Sequence, residues 1–289
     1  SVAGGVASAA RAVLRRAPSS PLHAELSEQR RLAIARTRLA DYRRVRDAFG
    51  GTVNDVALAV VSGAVRGWLL SRAEPLRSAA SVRALVPVSV SDLAGASRSQ
   101  RSDEHPAGSA REAPSGGARQ VHPLLVDLPV GEPDSVLRLA QIRYAMASHK
   151  ASGRAVDADR LVSLSGFAPP TLHALGARAT SGLTRRMFSL VVTNVPGPQF
   201  SLYAAGARMT EMFPFLPLTE GHAVSIALTS YDGGVYYGIN GDREAMRDVN
   251  VLADLIEESL AELVAAAGSP AATTGGSRRQ PRGTRPEHR

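Results

Sequence analysis

The sequence predicts an α/β (α+β) sandwich in which a mixed sheet is covered by helices. The first observation is composition: 289 residues with 44% hydrophobic and 21% charged side chains are typical of a globular chain with a sizeable core. The second is that strand and helix patterns interleave without regular alternation, which disfavours a doubly wound nucleotide-binding fold. The third is Asp232-Gly233 between two β-rich runs, which predicts a hairpin because that turn needs positive φ. At least part of the sheet is therefore antiparallel.

The best-defined helix begins after Thr52. Apolar side chains recur at spacings of three and four as far as Leu69, which is the pattern of one continuous buried face. Thr52 and Asp55 fit a capping box, in which the hydroxyl accepts a free backbone amide and the carboxylate lies at the positive end of the helix dipole. Trp68 and Leu69 continue the stripe and are predicted to be core residues. Helical patterns also cover 41–49, 134–151, 158–167, 171–185 and 252–263.

Strand patterns are short runs rich in β-branched and aromatic residues, bounded by turn residues. They cover 31–39, 82–90, 121–129, 188–195, 205–212, 222–231 and 234–241. The last two runs are the arms of the predicted hairpin. Pro196-Gly197, at the end of the fourth run, predicts a tight turn with Gly197 at positive φ.

The net charge of +8 is concentrated at the two ends of the chain. Residues 1–16 carry +3 and residues 269–289 carry +4, which leaves the body from 17 to 268 nearly neutral at +1. A nucleic-acid binder needs a basic stripe through its folded part and aromatic stacking platforms, and only 4% of the residues are aromatic. We therefore expect no nucleic-acid partner. The arginine-rich ends are either solvated termini or sites of attraction to anionic lipid headgroups.

Two segments have the composition of disordered chain. Residues 94–117 are rich in Ser, Gly, Pro and charge, and predict a disordered insertion in a loop. Residues 269–289 predict a disordered basic tail on the same grounds. The first seventeen residues do not have the pattern expected of a secretory signal, because their arginines follow a weak Ala/Gly run instead of preceding an apolar core.

Common catalytic and cofactor motifs are absent from the sequence. There is no cysteine, which excludes disulfides, thiol catalysis and cysteine-ligated metals. The only lysine, Lys150, lies in a helical pattern, and no G-x-G-x-x-G or G-x-S-x-G occurs. The seven histidines lack metal-site spacing, so neither a metal nor a bound cofactor is predicted. Prolines interrupt the longest uncharged stretches, at 169–170 and 196–198, so no membrane-spanning helix is expected.

Six motifs follow one another along the chain in a fixed order. They are Gly51-Thr52-Val53-Asn54-Asp55-Val56-Ala57-Leu58-Ala59-Val60, Arg83-Ala84-Leu85-Val86-Pro87-Val88-Ser89-Val90, Leu190-Val191-Val192-Thr193-Asn194-Val195-Pro196-Gly197-Pro198, Leu202-Tyr203-Ala204-Ala205-Gly206-Ala207, Ser230-Tyr231-Asp232-Gly233 and Gly241-Asp242-Arg243. Together they resemble the C-terminal half of the bacterial wax ester synthase/diacylglycerol O-acyltransferase family, from about Ser20 to Leu263.

The resemblance implies one half of a chloramphenicol-acetyltransferase-like CoA-dependent acyltransferase, a superfamily that pairs two similar α/β halves around a tunnel. Residues 1–19 are then the linker helix between the halves, and residues 20–268 the C-terminal acyltransferase domain. The implied reaction transfers a fatty acyl group from acyl-CoA, as co-substrate, to the hydroxyl of a diacylglycerol or long-chain alcohol. Its products are triacylglycerols or wax esters.

The family's general base is a histidine of a His-His-x-x-x-Asp-Gly motif in the N-terminal half. No two histidines are adjacent in this sequence, so no catalytic residue is assigned. A positioned base contributes roughly 10²–10⁴-fold to the rate, so its absence puts activity of the chain by itself in question. A second departure is Ala118, which stands where the family usually has the asparagine of a Gly-Asn-Arg motif.

Two groups of residues are candidates for the site. Asn54 and Asp55 match the family's Asn-Asp pair near the catalytic centre. Asn54 either orients the histidine or polarises the reacting oxygen, or it only occupies the first helical turn. Asp55 either supports the active site or only completes the cap. A second group, which either lines the substrate tunnel or only forms a turn, comprises Asn194, Pro196, Gly197 and Pro198.

Asp232-Gly233 is interpreted as the turn of the predicted hairpin. Asp242-Arg243 is interpreted as either a fixed ion pair or the lead-in to a helix. Neither pair is assigned a chemical role in acyl transfer.

Two functions remain open. The chain is either the C-terminal domain of a lipid O-acyltransferase that needs an N-terminal half, on the same or a separate chain, or a degenerate non-catalytic module for lipid binding or interaction. A half without its partner would expose apolar surface, so we expect self-association or a tight partner. We expect a cytoplasmic protein with peripheral contact at a membrane or lipid-inclusion surface.

Overall fold

The computed structural model describes residues 20–89, 121–152 and 187–268. Several sequence predictions lie outside this part of the chain: the linker 1–19, the insertion 94–117 with Ala118, the helices 158–167 and 171–185, and the tail 269–289. Within the described ranges, a six-stranded mixed sheet packs against a layer of four helices around one hydrophobic core. The predicted fold class is therefore confirmed.

The sheet is built from strands that are far apart in sequence. They are β1 (Arg30–Arg38), β2 (Val82–Ser89), β3 (Val121–Leu128), β4 (Leu190–Pro196), β7 (Val224–Tyr231) and β8 (Gly234–Asp242). Their order across the sheet is β1-β8-β7-β4-β2-β3. β4 runs parallel to both β2 and β7, whereas the other neighbouring pairs are antiparallel. Two positive-φ residues, Asp232 (φ 44) and Gly233 (φ 82), join β7 to β8, which confirms the predicted hairpin.

The single strand predicted for 205–212 is wrong. The chain forms a separate two-stranded ribbon there, with β5 (Tyr203–Ala204) and β6 (Ala207–Arg208) joined through Ala205 (φ 49) and Gly206 (φ 81). The segment after β6 is irregular and lies across β8. Gly238 makes room for it, because a Cβ at Gly238 would lie 1.7 Å from the carbonyl oxygen of Pro214.

The four helices are α1 (Leu39–Phe49), α2 (Val53–Ser71), α3 (Ser135–Ser152) and α4 (Val249–Gly268). α2 packs against the other three, and Trp68 and Leu69 are buried as the apolar stripe predicts. By length and composition α2 could cross a membrane, but 67% of its most apolar window is buried inside the domain. α2 is therefore a core helix here.

Asp242 ends β8 and leads into α4. Its carboxylate accepts hydrogen bonds from the backbone amides of Ser27 (2.6 Å), Glu244 (2.9 Å) and Ala245 (3.0 Å). Burial acts to raise the pKa of Asp242, but these hydrogen bonds outweigh it and hold the pKa below its ordinary value. The ion pair of Asp242 is formed with Arg30 at 3.4 Å and not with the neighbouring Arg243, so of the two interpretations the helix lead-in describes this pair.

Candidate functional site

The candidate site lies at the edge of the sheet where the parallel strands β2, β4 and β7 end and α2 begins. In sheets of this kind, loops and helix starts at the carboxyl ends of parallel strands are the usual place for ligands. Asn54, in the first turn of α2, and Asn194, near the end of β4, meet at this edge.

A capping box fixes the start of α2. The Oγ1 of Thr52 accepts a hydrogen bond from the amide of Asp55 (3.2 Å), and Asp55 Oδ2 accepts one from the amide of Thr52 (2.8 Å). The cap thus occupies one carboxylate oxygen of Asp55. The other, Oδ1, is buried and has no hydrogen-bond partner among the described residues.

Arg143, on α3, holds the turn that leads into this cap. It donates to the carbonyl oxygen of Phe49, and its side chain covers Gly50 and Gly51, which have φ of +76 and +91. A Cβ on either glycine would lie 2.9 Å from an Arg143 atom. Sequence reasoning missed Arg143, and the only signal for this contact was the Gly-Gly pair before the cap.

Asn194 Nδ2 donates a hydrogen bond to Asn54 Oδ1 at 3.1 Å. This bond leaves the Nδ2 hydrogens of Asn54 as donors and the Oδ1 of Asn194 as an acceptor, and neither group bonds another described residue. Both side chains are half-buried. The pair can therefore donate to an oxygen that gains negative charge and accept from an N–H or O–H group.

The Pro196-Gly197-Pro198 segment is tied to the end of β7. The Oγ1 of Thr229 donates to the carbonyl oxygen of Val195 (2.7 Å), and the backbone amide of Asp232 donates to the carbonyl oxygen of Pro198 (3.1 Å). The predicted positive φ of Gly197 is wrong, since Gly197 is not among the positive-φ glycines. Glycine is required for close approach instead, because a Cβ there would lie 2.3 Å from the carbonyl oxygen of Ser230.

The hairpin residue Asp232 also holds the β5–β6 ribbon. Its Oδ2 accepts hydrogen bonds from Arg208 (2.7 Å) and from Ser201 Oγ (2.8 Å), and these contacts lower the pKa of Asp232. Beside it, the hydroxyl of buried Tyr231 accepts from the amide of Leu202 (2.8 Å) and donates to the carbonyl oxygen of Met209 (2.9 Å). The bond between Leu202 and Tyr231 therefore joins two of the motifs in space, and Asp232 holds the residues on either side of the first, contacts that the hairpin turn alone did not predict.

Three large apolar side chains are exposed next to this edge. They are Val195, Phe200 and Tyr203, with exposed fractions of 60%, 66% and 67%. We call this group the edge patch. Val195 follows Asn194 directly, and hydrogen bonds of Gln199, Ser201 and Leu202 tie the segment that carries Phe200 and Tyr203 to the end of β7.

Two described histidines lie at the other end of the sheet. The Nε2 atoms of His23 and His222 are 3.1 and 3.0 Å from the carbonyl oxygen of Phe188, which precedes β4. Burial lowers the pKa of His222. Within the described ranges, no group of three or more His, Asp or Glu side chains could hold a metal ion.

The mixed sheet, its layer of helices and the ordered motifs are those of an α/β acyltransferase fold. The WS/DGAT C-terminal domain model matches residues 119–264, and the model of the wax ester synthase/diacylglycerol acyltransferase catalytic domain matches residues 2–57. The chain therefore belongs to the wax ester synthase/diacylglycerol acyltransferase family, which confirms the resemblance.

Curated relatives and a solved structure agree with this assignment. The chain is 31% identical over 261 residues to the "Probable diacyglycerol O-acyltransferase tgs1" of Mycobacterium tuberculosis, covering 90% of this chain and 52% of the relative. It is 30% identical over 245 residues to the O-acyltransferase WSD of Acinetobacter baylyi, covering 84% and 48%. The wax ester synthase/diacylglycerol acyltransferase of Marinobacter aquaeolei superposes with a TM-score of 0.65 at 25% identity, covering 93% of this chain and 57% of that one. The chain spans about half the length of these curated relatives.

Proposed function

We propose that this chain is the C-terminal part of a lipid O-acyltransferase that makes triacylglycerols or wax esters. Acyl-CoA is the proposed co-substrate, a diacylglycerol or long-chain alcohol is the acceptor, and no bound cofactor takes part. The observation that carries the proposal is the Asn54–Asn194 pair at the carboxyl edge of the parallel strands. Asn54 belongs to the segment that matches the family's catalytic-domain model, and family membership supplies the reaction class.

The proposed chemistry divides the work between two halves. A histidine of the N-terminal half takes the proton of the acceptor hydroxyl while that oxygen attacks the thioester carbonyl carbon. The carbonyl oxygen becomes negatively charged, and a positioned amide donor such as Asn54 Nδ2 stabilises it. The C–S bond then breaks, the histidine returns its proton to the departing thiolate, and the ester and free CoA leave.

The proposed partner is the N-terminal acyltransferase half, and the edge patch is the surface we assign to that contact. Val195 of the patch follows Asn194 directly, so a partner that covers the patch would also cover the amide pair. We propose a cytoplasmic location with peripheral contact at a membrane or lipid-inclusion surface. The basic ends supply the attraction to anionic headgroups in that proposal.

A chimaera tests the proposal. The chain replaces the matching half of the Mycobacterium tuberculosis relative, so that the N-terminal part comes from a protein of the same family. Transfer of labelled palmitoyl from palmitoyl-CoA to dioleoylglycerol, or to hexadecanol, is then measured. We expect ester formation that requires the histidine motif of the relative's half.

The same chimaera separates this proposal from the non-catalytic alternative. Asn54→Ala should suppress turnover, whereas Asn250→Ala, a matched change at an exposed position on α4, should not. A folded chimaera that binds lipid or acyl-CoA without forming ester would favour a degenerate binding module.

A further inference from the structure

A second polar cleft lies among the helices, away from the candidate site. It has a volume of about 140 Å³ and lies between α2, α4 and the start of α3. Gly63, where it meets α2, is nine residues beyond Asn54, or about 13 Å along the helix axis. The lining residues used below are Gly63, Arg66, Arg138, Glu258, Ser259 and Glu262.

Arg138 brings a buried positive charge to this cleft. Its side chain is only 2% exposed, and its Nη1 donates to the carbonyl oxygen of Glu132 at 2.9 Å. The ion-pair partner is Glu262, 3.4 Å from Nη2 and 61% exposed. The Nε of Arg138 has no hydrogen-bond partner in the described part of the chain. Burying a cation is costly unless it is paired and hydrogen-bonded, and an exposed carboxylate at this distance compensates it poorly.

Ser259, on α4, adds a hydroxyl beside the guanidinium. Its Oγ is buried and is likewise without a partner among the described residues. A Cβ at Gly63 would lie 2.1 Å from this Oγ and 2.8 Å from Arg138 Nη2, so both polar atoms lie close together against Gly63, and a larger residue there would displace them. Arg66 lines the same cleft, and its Nη1 donates to the carbonyl oxygens of Val130 and Gly131.

We propose that this cleft binds a compact oxyanion, a phosphate or a carboxylate group, which replaces Glu262 as the counterion of Arg138. The anion accepts hydrogen bonds from the guanidinium of Arg138 and the hydroxyl of Ser259, while Arg66 adds a second positive charge at the rim. Guanidinium groups suit this ligand because their planar donors match the spacing of oxyanion oxygens. The site is independent of the proposed acyl transfer, since it uses none of the residues at the carboxyl edge.

Titration of the intact chain with inorganic phosphate tests this site. NMR signals of the Arg138 Nε–H group and of the Gly63 amide are followed at constant ionic strength, with chloride as the balancing ion. We expect a saturable shift of both signals with phosphate. A parallel titration with acetate distinguishes a carboxylate from a phosphate ligand, and shifts that grow equally with chloride alone would overturn the proposal.

Two matched glutamate variants provide the decisive comparison. Glu262→Gln and Glu258→Gln each remove one negative charge from the same cleft, but only Glu262 pairs with Arg138. We expect Glu262→Gln to tighten anion binding about fivefold, which is the upper range for an exposed ion pair, and Glu258→Gln to change it less than about twofold. Equal effects of the two variants would mean that the cleft attracts anions only through its overall charge. The proposal that the anion replaces Glu262 as the counterion of Arg138 would then be wrong.

Ser259→Ala tests the hydroxyl without touching the buried cation. Loss of one hydrogen bond to an anion should weaken binding about three- to tenfold. The folded state of each variant is checked by its amide spectrum, so a change in affinity is not confused with unfolding. Unchanged affinity in Ser259→Ala, or no saturation in the parent chain, would overturn the proposal.

Discussion

The side chain of Asn194 donates a hydrogen bond to that of Asn54 at 3.1 Å, across a sequence separation of 140 residues. This bond joins the two stretches of chain that the family models match separately, since Asn54 lies in 2–57 and Asn194 in 119–264. It fastens the start of α2 to the end of β4. Two motifs that are remote in sequence therefore share one polar group at the carboxyl edge of the sheet.

The first prediction concerns the catalytic use of this pair. In the chimaera, Asn54→Ala should lower kcat about 10²-fold with little change in KM, because removing a donor to a developing oxyanion costs roughly 10²–10³ in kcat. Asn194→Ala should cost about tenfold, since Asn194 would act by orienting Asn54. Steady-state kinetics of the two single variants and the double variant measure the coupling.

If the residues act as a pair, the double variant is little worse than Asn54→Ala. Additive losses would show that the two side chains act independently. Asn250→Ala provides the matched control at an exposed position, where kcat should stay at the parent value.

The second prediction concerns the turn before α2. Gly51→Ala introduces a Cβ at φ +91, 2.9 Å from the side chain of Arg143. Gly206→Ala introduces one at φ +81 with nothing within 4 Å. The conformational cost alone should lower the free energy of unfolding by about 1–2 kcal/mol at either position, and crowding should add to it only at Gly51.

Urea unfolding of the two variants measures the difference. A larger loss for Gly51→Ala indicates that Arg143 is held tightly over the turn. Equal losses would contradict that contact, because the cost of placing alanine at positive φ would then explain the whole loss of stability.

The sequence predicts those parts of the fold that depend only on interactions between residues close together in the chain. The capping box of Thr52 and Asp55 and the turn at Asp232-Gly233 use neighbouring residues only, and both form as expected. The strand predicted at 205–212 fails because the ribbon turn at Ala205 interrupts it, and because a long-range contact over Gly238 directs the segment after the ribbon.

The site was predictable only in part for a similar reason. A turn can need glycine because its φ is positive or because another part of the backbone lies too close for a Cβ. The sequence around Gly197 does not distinguish these two reasons, since the second depends on the position of Ser230 in the fold. The motifs singled out Asn54 and Asn194 separately, but their contact depends on how α2 packs on the sheet. Arg143 has no motif of its own, so its place over Gly51 results from helix packing alone.

The third prediction concerns acid stability. The hydrogen bonds to Asp242 hold its folded-state pKa below the ordinary value of 3.8. A carboxyl whose pKa is lower when folded stabilises the protein above the unfolded pKa, and this contribution is lost as pH falls through the folded pKa. Asp242→Asn should therefore flatten the fall in unfolding free energy below about pH 4, measured by urea unfolding at pH values from roughly 2.5 to 7.

Asp254→Asn is the matched control, because Asp254 is exposed on α4. The fall in the unfolding free energy of this variant below about pH 4 should match that of the parent chain. If the unfolding free energy of Asp242→Asn falls at low pH as steeply as that of the parent chain, other carboxyl groups cause the loss of stability.

The last prediction concerns the edge patch. A half separated from its partner would expose apolar surface that the partner covers, so we expect the chain to self-associate through this patch when its proposed partner half is absent. Replacing Phe200 and Tyr203 together by serine should shift the sedimentation profile toward monomer, because both side chains are about two-thirds exposed and support little of the core. Tyr144→Ser, on α3, is the control: that side chain is 78% exposed but lies outside the patch, so its loss should leave the association unchanged. A parent chain that stays monomeric at all concentrations would contradict the assignment of the patch as an interface, and an equal effect of Tyr144→Ser would show that association does not depend on this edge.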